Sequence, residues 1–351
     1  MAIQAADIAD IVSTTLKDLG RLRFTDLGTD KVNFVAFQQL MTKERLVLDS
    51  GYEIQWNVVV RNSGSARSVG LFAPDATNVA DVMKTASIPW RHITGNYSFD
   101  EREPVMGGGA AKIVDLVSVR RNDALTAIPE LMEQQAWTNP GSVSSDDPVG
   151  IPYWVCYPGS GTSGMSTGGF LGGDPSGYSA GAGGLASATY PRWQNYTGSY
   201  TSVTKQDLIR KWRRAARLTN FKAPTPGAPY GGAKDMGFYT NNTVIELLEE
   251  VLEAQNDNLG NDLASKDGMV VFQRRPVEYV YQLDANAGNP VYGIDWSQMN
   301  WVVMQGRFLK EKVVTAPNQH TVVNVHIDTT ANLRCTDRRK QFVIGTGTTA
   351  F

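Results

Sequence analysis

The sequence predicts an α+β fold, and three observations support this. Residues 110–137 place apolar side chains three or four positions apart, as a long amphipathic helix does. Residues 52–60 alternate between two sets of side chains, as a half-buried strand does. From Met269 onward, runs of β-branched and aromatic residues separated by turn residues predict further strands. With 351 residues, the chain is long enough for a full core and two domains.

Composition excludes several classes of protein. A net charge of −2 and a pI near 6.0 argue against a dedicated nucleic-acid binder, because no basic excess is available to neutralise phosphates. Cys156 and Cys335 form no framework, so we expect free, buried thiols in a reducing compartment. No apolar run approaches the roughly 18 residues of a membrane span. The N-terminus lacks a basic segment before an apolar one, so we expect an intracellular globular chain with no membrane partner.

The N-terminal region predicts a helix at 7–19 that ends at Gly20 and docks either on its own domain or on a neighbour. A further helix is indicated at 35–44. Next come two alternating runs, 52–60 and 93–103, joined by an excursion of about 30 residues, which is far longer than a tight turn. A two-stranded ribbon alone is marginal in water, so we predict that these runs pair and reach a neighbouring subunit. The contact residues predicted on this ribbon are Tyr52, Ile54, Trp56, Tyr97 and Phe99.

The long helix opens after Gly107–Gly109, and Pro129 is expected to kink its last two turns. Residues 151–157 are apolar and predict a short buried strand. Eleven of the 34 glycines follow between Gly159 and Gly184, and such a tract predicts a mobile loop with too few side chains for a packed core.

Two later helices carry opposite charges. The helix at 205–219 is basic on one side, and the helix capped by Asn242 or Thr243 and ending near 259 is acidic on one side. We predict that these faces pair, within or between subunits, in preference to binding nucleic acid. The residues concerned are Arg210, Arg213, Arg214, Arg217, Glu246, Glu249, Glu250 and Glu253.

Catalytic motifs are present only in weak form. Residues 159–164 match GxGxxG, and 164–168 match GxSxG with Ser166 as nucleophile and Asp295 and His320 downstream. Both motifs need a helix to begin inside them, whereas more glycine follows here, so chance matches are favoured. The histidines His92, His320 and His326 do not provide the three or four converging ligands of a metal site. We therefore predict no catalytic residue, cofactor or metal.

The order of these segments resembles that of the major capsid proteins of tailed bacteriophages, over nearly the whole chain. Residues 275–278 (Arg-Pro-Val-Glu) are similar to the family's strand that enters the central sheet. Residues 325–344, with Thr-Asp-Arg-Arg at 336–339 before Phe-Val-Ile at 342–344, are similar to its closing segment. Residues 90–103 take the position where the family's extended loop returns to its spine helix.

The resemblance implies four divisions of the chain. They are an N-terminal arm and lead-in at 1–50, an extended two-stranded loop at 51–103, a periphery domain and an axial domain. The periphery domain comprises 104–149 with 291–330 and includes the spine helix 110–137. The axial domain comprises 150–290 with 331–351 and includes the Gly-rich loop 158–189.

The resemblance also implies a structural protein of the virion, assembled in the host cytoplasm. Its copies would form hexamers and pentamers of an icosahedral shell that contacts packaged double-stranded DNA non-specifically. A separate scaffolding protein and a portal are the other expected partners. Two alternatives remain: an encapsulin, which is a cellular shell of the same fold that holds cargo protein, and a serine hydrolase that uses Ser166.

Overall fold

A computed structural model describes residues 34–42, 46–49, 51–61, 64, 66–71, 81–102, 110–220, 235–256, 270–315 and 321–351. The predicted N-terminal helix, His320 and the middle of the ribbon excursion lie outside these residues. Within them the chain forms the helices α1 (Val35–Thr42), α2 (Ala110–Ala136), α3 (Ile151–Trp154), α4 (Leu208–Thr219) and α5 (Asn242–Asn256). None of these described helices is both long and apolar enough to cross a membrane.

The first sheet has five strands organised around one long strand. Its members are β1 (Leu46–Leu48), β4 (Arg91–Asp100), β10 (Met299–Met304), β11 (Lys310–Thr315) and β12 (Val322–Cys335). The long strand β12 pairs antiparallel with β4 over ten residue pairs, from Val322 opposite Asp100 to Ala331 opposite Arg91. Both β10 and β11 also pair antiparallel with β12, and β1 runs parallel to β10.

The second sheet has six strands in the order β5-β13-β9-β6-β8-β7. Its members are β5 (Tyr196–Ser199), β6 (Met236–Thr240), β7 (Val271–Phe272), β8 (Arg275–Tyr279), β9 (Val291–Asp295) and β13 (Phe342–Gly345). Strand β9 pairs with β6 and β13 in this sheet, whereas the family resemblance implies that residues 291–330 belong to the periphery domain. Likewise β12 continues the first sheet to Cys335, beyond the predicted boundary at 330. One apolar core nevertheless includes residues of both sheets, such as Trp301 and Tyr292.

The ribbon forms with a different partner strand from the one predicted. Strands β2 (Glu53–Val59) and β3 (Met83–Pro89) pair antiparallel, with Ile54 opposite Ile88. The second alternating run forms β4 instead and joins the five-stranded sheet. Alternation shows that a segment is a half-buried strand but does not identify its partner, and β4 lies opposite residues more than 200 positions away.

Helix α2 confirms the long helix predicted at 110–137. Its buried face recurs every four residues at Ala124, Ile128, Met132 and Ala136, as a helix packed on a core requires. The helix includes Pro129 and continues to Ala136.

Residues 151–154 form the short helix α3, so the predicted strand at 151–157 is wrong. All four side chains are buried, and a fully buried apolar run has no polar face that distinguishes strand from helix. Pro152 in the first turn favours the helix, because its fixed φ suits that position and its missing N–H is not needed there.

The glycine tract is packed against the core, contrary to the predicted loop without core residues. Met165, Tyr178, Ala182 and Leu185 are buried in the main apolar cluster. At Gly172 a Cβ atom would overlap the buried Oδ1 of Asn195, so only glycine fits that backbone position. The glycines here permit close packing as well as turns.

Candidate assembly surfaces

The two faces of the β2–β3 ribbon differ in exposure. Ile54 is 0% exposed and packs in the core with Ala86 and Ile88, so its predicted contact with a neighbour is wrong. The residue alternation that suggested an exposed ribbon instead places this face on its own chain. Tyr52, which precedes β2, is 95% exposed and remains a candidate for contact with a neighbour.

The other aromatic candidates are partly covered by their own chain. Trp56 packs edge-to-face on Trp154, with 5.8 Å between ring centroids, and the Arg334 guanidinium lies 5.8 Å from its ring. Tyr97 and Phe99 are half-buried on β4, opposite Val325 and Val323 of β12. These three side chains stabilise the chain's own fold, and each retains some exposed surface.

Helix α4 separates an apolar face from a basic one. Leu208, Trp212, Ala215 and Ala216 are buried, because they recur at helical spacing toward the second apolar cluster. The opposite face is exposed and carries four arginines, Arg210, Arg213, Arg214 and Arg217, which we call the arginine stripe.

The start of α4 is fixed by Asp207, whose carboxylate binds Lys211 Nζ at 2.5 Å and the backbone N–H groups of Thr201 and Ser202 at 2.7 and 3.0 Å. Burial alone would raise the pKa of Asp207, but these hydrogen bonds outweigh it and lower the pKa to about 2. Lys211 is therefore paired with a carboxylate of its own chain, whereas no ion pair among the described residues involves the arginine stripe.

Helix α5 repeats the arrangement with the opposite charge. Asn241 Oδ1 accepts the Val244 N–H at 3.2 Å, so the cap lies one residue before the predicted Asn242. Val244 and Leu248 are buried in the same cluster as the apolar face of α4. Glu246, Glu249 and Glu250 are exposed; with Glu253, whose side chain lies outside the described residues, they form what we call the glutamate stripe.

Within the part of the chain that the structure describes, no ion pair joins the two stripes. Both helices turn their apolar faces to the same cluster, which leaves both charged faces in solvent. Among the described residues, the arginine and glutamate stripes do not pair within one chain. Their pairing between subunits stays a prediction.

A buried carboxylate joins α1 to α2, and no sequence pattern indicates this role. Glu133 of α2 accepts the backbone N–H groups of Ala36 and Phe37 at 3.2 and 2.8 Å, and the indole N–H of Trp137 at 2.7 Å. Burial raises the pKa of Glu133, although these hydrogen bonds oppose the shift. The carboxylate satisfies the free N–H groups at the start of α1 and holds this helix on α2.

A buried arginine holds together the segments around the glycine tract, and no sequence pattern indicates this role. The Arg338 guanidinium donates to the carbonyls of Trp154, Trp193 and Gly173 at 2.7, 2.9 and 3.0 Å. It also reaches Asn195 Oδ1 at 3.3 Å. Five N–H donors in a planar fork suit one arginine to several carbonyls at once.

The hydrolase hypothesis finds no support in the geometry. Ser166 lies in an exposed turn, and no helix begins within the motif, so a strand-to-helix nucleophile elbow is not formed. Asp295 is buried and accepts hydrogen bonds from Ser297 Oγ at 2.7 Å and the Asp235 N–H at 3.3 Å. His320 lies outside the described residues.

The described part of the chain likewise offers no site for metal or thiol chemistry. No group of three or more His, Cys, Asp or Glu side chains in it could hold a metal ion. His92 Nδ1 bonds Thr330 Oγ1 at 2.8 Å, and His326 lies opposite Lys312 and Asn96 in the first sheet. Both cysteines are free and buried, as predicted, and burial raises the pKa of Cys156 to about 11.

No protein-family model and no curated protein matches the sequence. The structure, however, is similar to a chain of the capsid asymmetric unit of cyanophage A-1(L), with a TM-score of 0.64, 14% identity, and 95% of this chain and 98% of that chain covered. The chain has a phage capsid fold.

Two other structures agree. A chain of the capsid of a native GTA particle has a TM-score of 0.54 and 13% identity, with 93% of this chain and 95% of that chain covered. A chain of the capsid of Myoviridae phage XM1 has a TM-score of 0.52 and 9% identity, with 99% of each chain covered. The capsid fold thus confirms both the α+β class and the family resemblance in architecture.

Proposed function

We propose that this chain is the major capsid protein of a tailed phage, and that its copies assemble into hexamers and pentamers of an icosahedral shell around double-stranded DNA. The observation that carries the proposal is the coverage of the structural similarity. With cyanophage A-1(L), 95% of this chain and 98% of the capsid chain are matched, so the likeness is not confined to one domain.

The exposed surface of the ribbon region supports this proposal. Large apolar side chains there face solvent in the single chain, with Tyr52 95% and Leu71 90% exposed. Val59, Val69 and Met83 in the same region are also exposed. Several exposed apolar groups in one region favour contact with another molecule, and a closed symmetric assembly provides identical neighbours for every copy.

The proposal also assigns each sheet to one of the two domains expected for the fold. The five-stranded sheet with α2 would form the periphery domain, and the six-stranded sheet with α4, α5 and the glycine tract would form the axial domain around the capsomer centre. A separate scaffolding protein and a portal would take part in assembly, which would occur in the host cytoplasm. A net charge of −2 is suited to a coat protein that encloses DNA without binding tightly along its length.

The test is production of the chain in a bacterial host, alone and with candidate scaffolding proteins, followed by electron microscopy of the fast-sedimenting fraction. We expect capsomers or closed icosahedral shells. A chain that stays monomeric at all concentrations with every scaffold would contradict the proposal.

The contents of the particles distinguish a virus from an encapsulin. Shells isolated from infected or induced cells should hold nuclease-protected double-stranded DNA, whereas shells that hold one defined cargo protein would favour the encapsulin. Replacing Ser166 with alanine tests the hydrolase alternative. A shell protein should assemble as before, whereas a hydrolase that uses Ser166 would lose its activity.

A further inference from the structure

The arginine and glutamate stripes share the same residue spacing. Arginines occur at 210, 213, 214 and 217, and glutamates at 246, 249, 250 and 253, so both follow the pattern 0, 3, 4, 7. Residues at these intervals lie on one face of a helix. The pattern reads the same in both directions, so two such helices can place opposite charges face to face whether they run parallel or antiparallel.

In the isolated chain each stripe is unfavourable. Like charges three and four residues apart on a helix repel one another. The described residues provide no oppositely charged partner for the exposed arginines of α4. An external partner with four carboxylates at the same spacing would remove this repulsion on both sides.

A groove beside the arginine stripe is suited to a carboxylate-bearing partner. It has a volume of about 170 Å³ and is lined by Lys205, Ile209, Trp212 and Arg213 of the α4 region, Leu248 of α5 and the β7 segment. Trp212 is 1% exposed, and its indole N–H has no acceptor among the described residues. This nitrogen has no accessible surface, so a partner's carboxylate would meet the cations Lys205 and Arg213 of the groove lining and not the indole.

We propose that the arginine stripe of one copy binds the glutamate stripe of the next copy around a capsomer. This proposal rests on the capsid function proposed above and names the contact that closes the ring. Because α4 and α5 are different surfaces of one chain, the contact is heterologous, and heterologous contacts close into rings when the rotation between copies fits. Acidic segments of a scaffold and nucleic acid are the rival occupants of the arginine stripe.

Two charge reversals and their combination test the contact. The first variant is Arg213→Glu with Arg214→Glu, and the second is Glu249→Arg with Glu250→Arg. Each variant alone places like charges at every contact, so we expect its capsomer association constant to fall at least about tenfold. The variant with all four substitutions has complementary stripes again, and its association should recover to within about threefold of wild type.

Mixing the two single-stripe variants gives a sharper result, because each then complements the other. Variants that alternate around a ring satisfy every contact in a hexamer. In a pentamer at least one contact must join two identical variants. We therefore expect the mixture to form hexamers but few pentamers, as counted by native mass spectrometry.

The control is Asp123→Arg with Asp146→Arg, which carries the same charge change as the Glu249→Arg and Glu250→Arg variant at two carboxylates that are exposed outside the stripes. It should assemble like wild type. Assembly that is unchanged in both stripe variants would overturn this inference and leave the capsid function standing, whereas wild-type chains that never assemble would count against both. Loss of bound DNA or scaffold in the arginine variant, with no recovery in the four-substitution variant, would assign the arginine stripe to that partner instead.

Discussion

Arg338 and the arginine stripe lie in opposite surroundings. Arg338 is 0% exposed and donates to three carbonyl oxygens and an amide oxygen of its own chain. Arg213 and Arg214 lie on the outside of α4 among other arginines. Arginine therefore has two roles in this chain. The buried guanidinium holds segments of one chain together, whereas the exposed guanidinium groups are available to bind another molecule.

The strongest test of this comparison is removal of the buried cation. Arg338→Met should lower the free energy of unfolding by about 3–5 kcal/mol, because several buried oxygen atoms lose their donor. Urea denaturation of the unassembled chain measures this. Arg339→Met is the matched control; its guanidinium lies 4.9 Å from the Phe170 ring centroid, and its loss should be clearly smaller. Equal losses for the two variants would contradict the assigned role of Arg338.

Glu133 should behave as a second internal charge. Glu133→Ala leaves the N–H groups of Ala36, Phe37 and Trp137 without their acceptor and should destabilise the chain by about 2–4 kcal/mol. Hydrogen exchange should show the greatest loss of protection in α1. Asp123→Ala on the exposed side of the same helix is the control and should leave α1 protected.

The pH dependence of Glu133 has a definite sign. Since the folded-state pKa is raised, the carboxyl group's contribution to stability is fully present below the unfolded-state pKa and is lost as pH rises through the folded-state pKa. Glu133→Gln, which does not titrate, should lack this component of the pH profile. Parallel stability curves for wild type and Glu133→Gln from pH 4 to pH 8 would contradict the assignment.

The glycine tract offers a smaller, matched test of internal packing. Gly172→Ala should destabilise by about 1–3 kcal/mol, because its Cβ meets Asn195, which also contacts Arg338. Gly161→Ala meets no atom within 4 Å and should be nearly neutral. Thermal unfolding of both variants measures the difference, and two neutral variants would show that the tract is not packed as described.

The smallest effect on stability is expected at the exposed arginines. Arg213→Glu with Arg214→Glu should change the free energy of unfolding by no more than about 0.5 kcal/mol per substitution, as surface changes usually do. A large loss of stability in the unassembled chain would show that the arginine stripe stabilises the fold. The contrast with Arg338 would then be wrong.

Local sequence patterns predicted the longer helices well, assigned the short helix α3 to a strand, and predicted the strand partners poorly. Apolar spacing placed α2 within one residue of its observed end at Ala136, and alternation identified β2 and β4 as strands. The assignment of β4 to β12 depends on contacts more than 200 residues apart, which periodicity does not encode. For the same reason Ile54 was expected on an open surface and lies in the core.

The buried charged groups were not predictable from residue type. Arginine and glutamate are seldom fully buried, so residue type does not indicate that Arg338 and Glu133 lie in the core. Their partners are backbone groups brought close only by the fold, and no sequence motif marks such partners. The charge stripes, in contrast, follow from helical spacing alone, so the sequence predicts the charged surfaces of α4 and α5.

The most direct test of the central claim is native mass spectrometry of the purified wild-type chain over a range of concentrations, with and without scaffold. The account predicts species of five and six times the chain mass that increase together as concentration rises. A single species at the monomer mass under all of these conditions would contradict it.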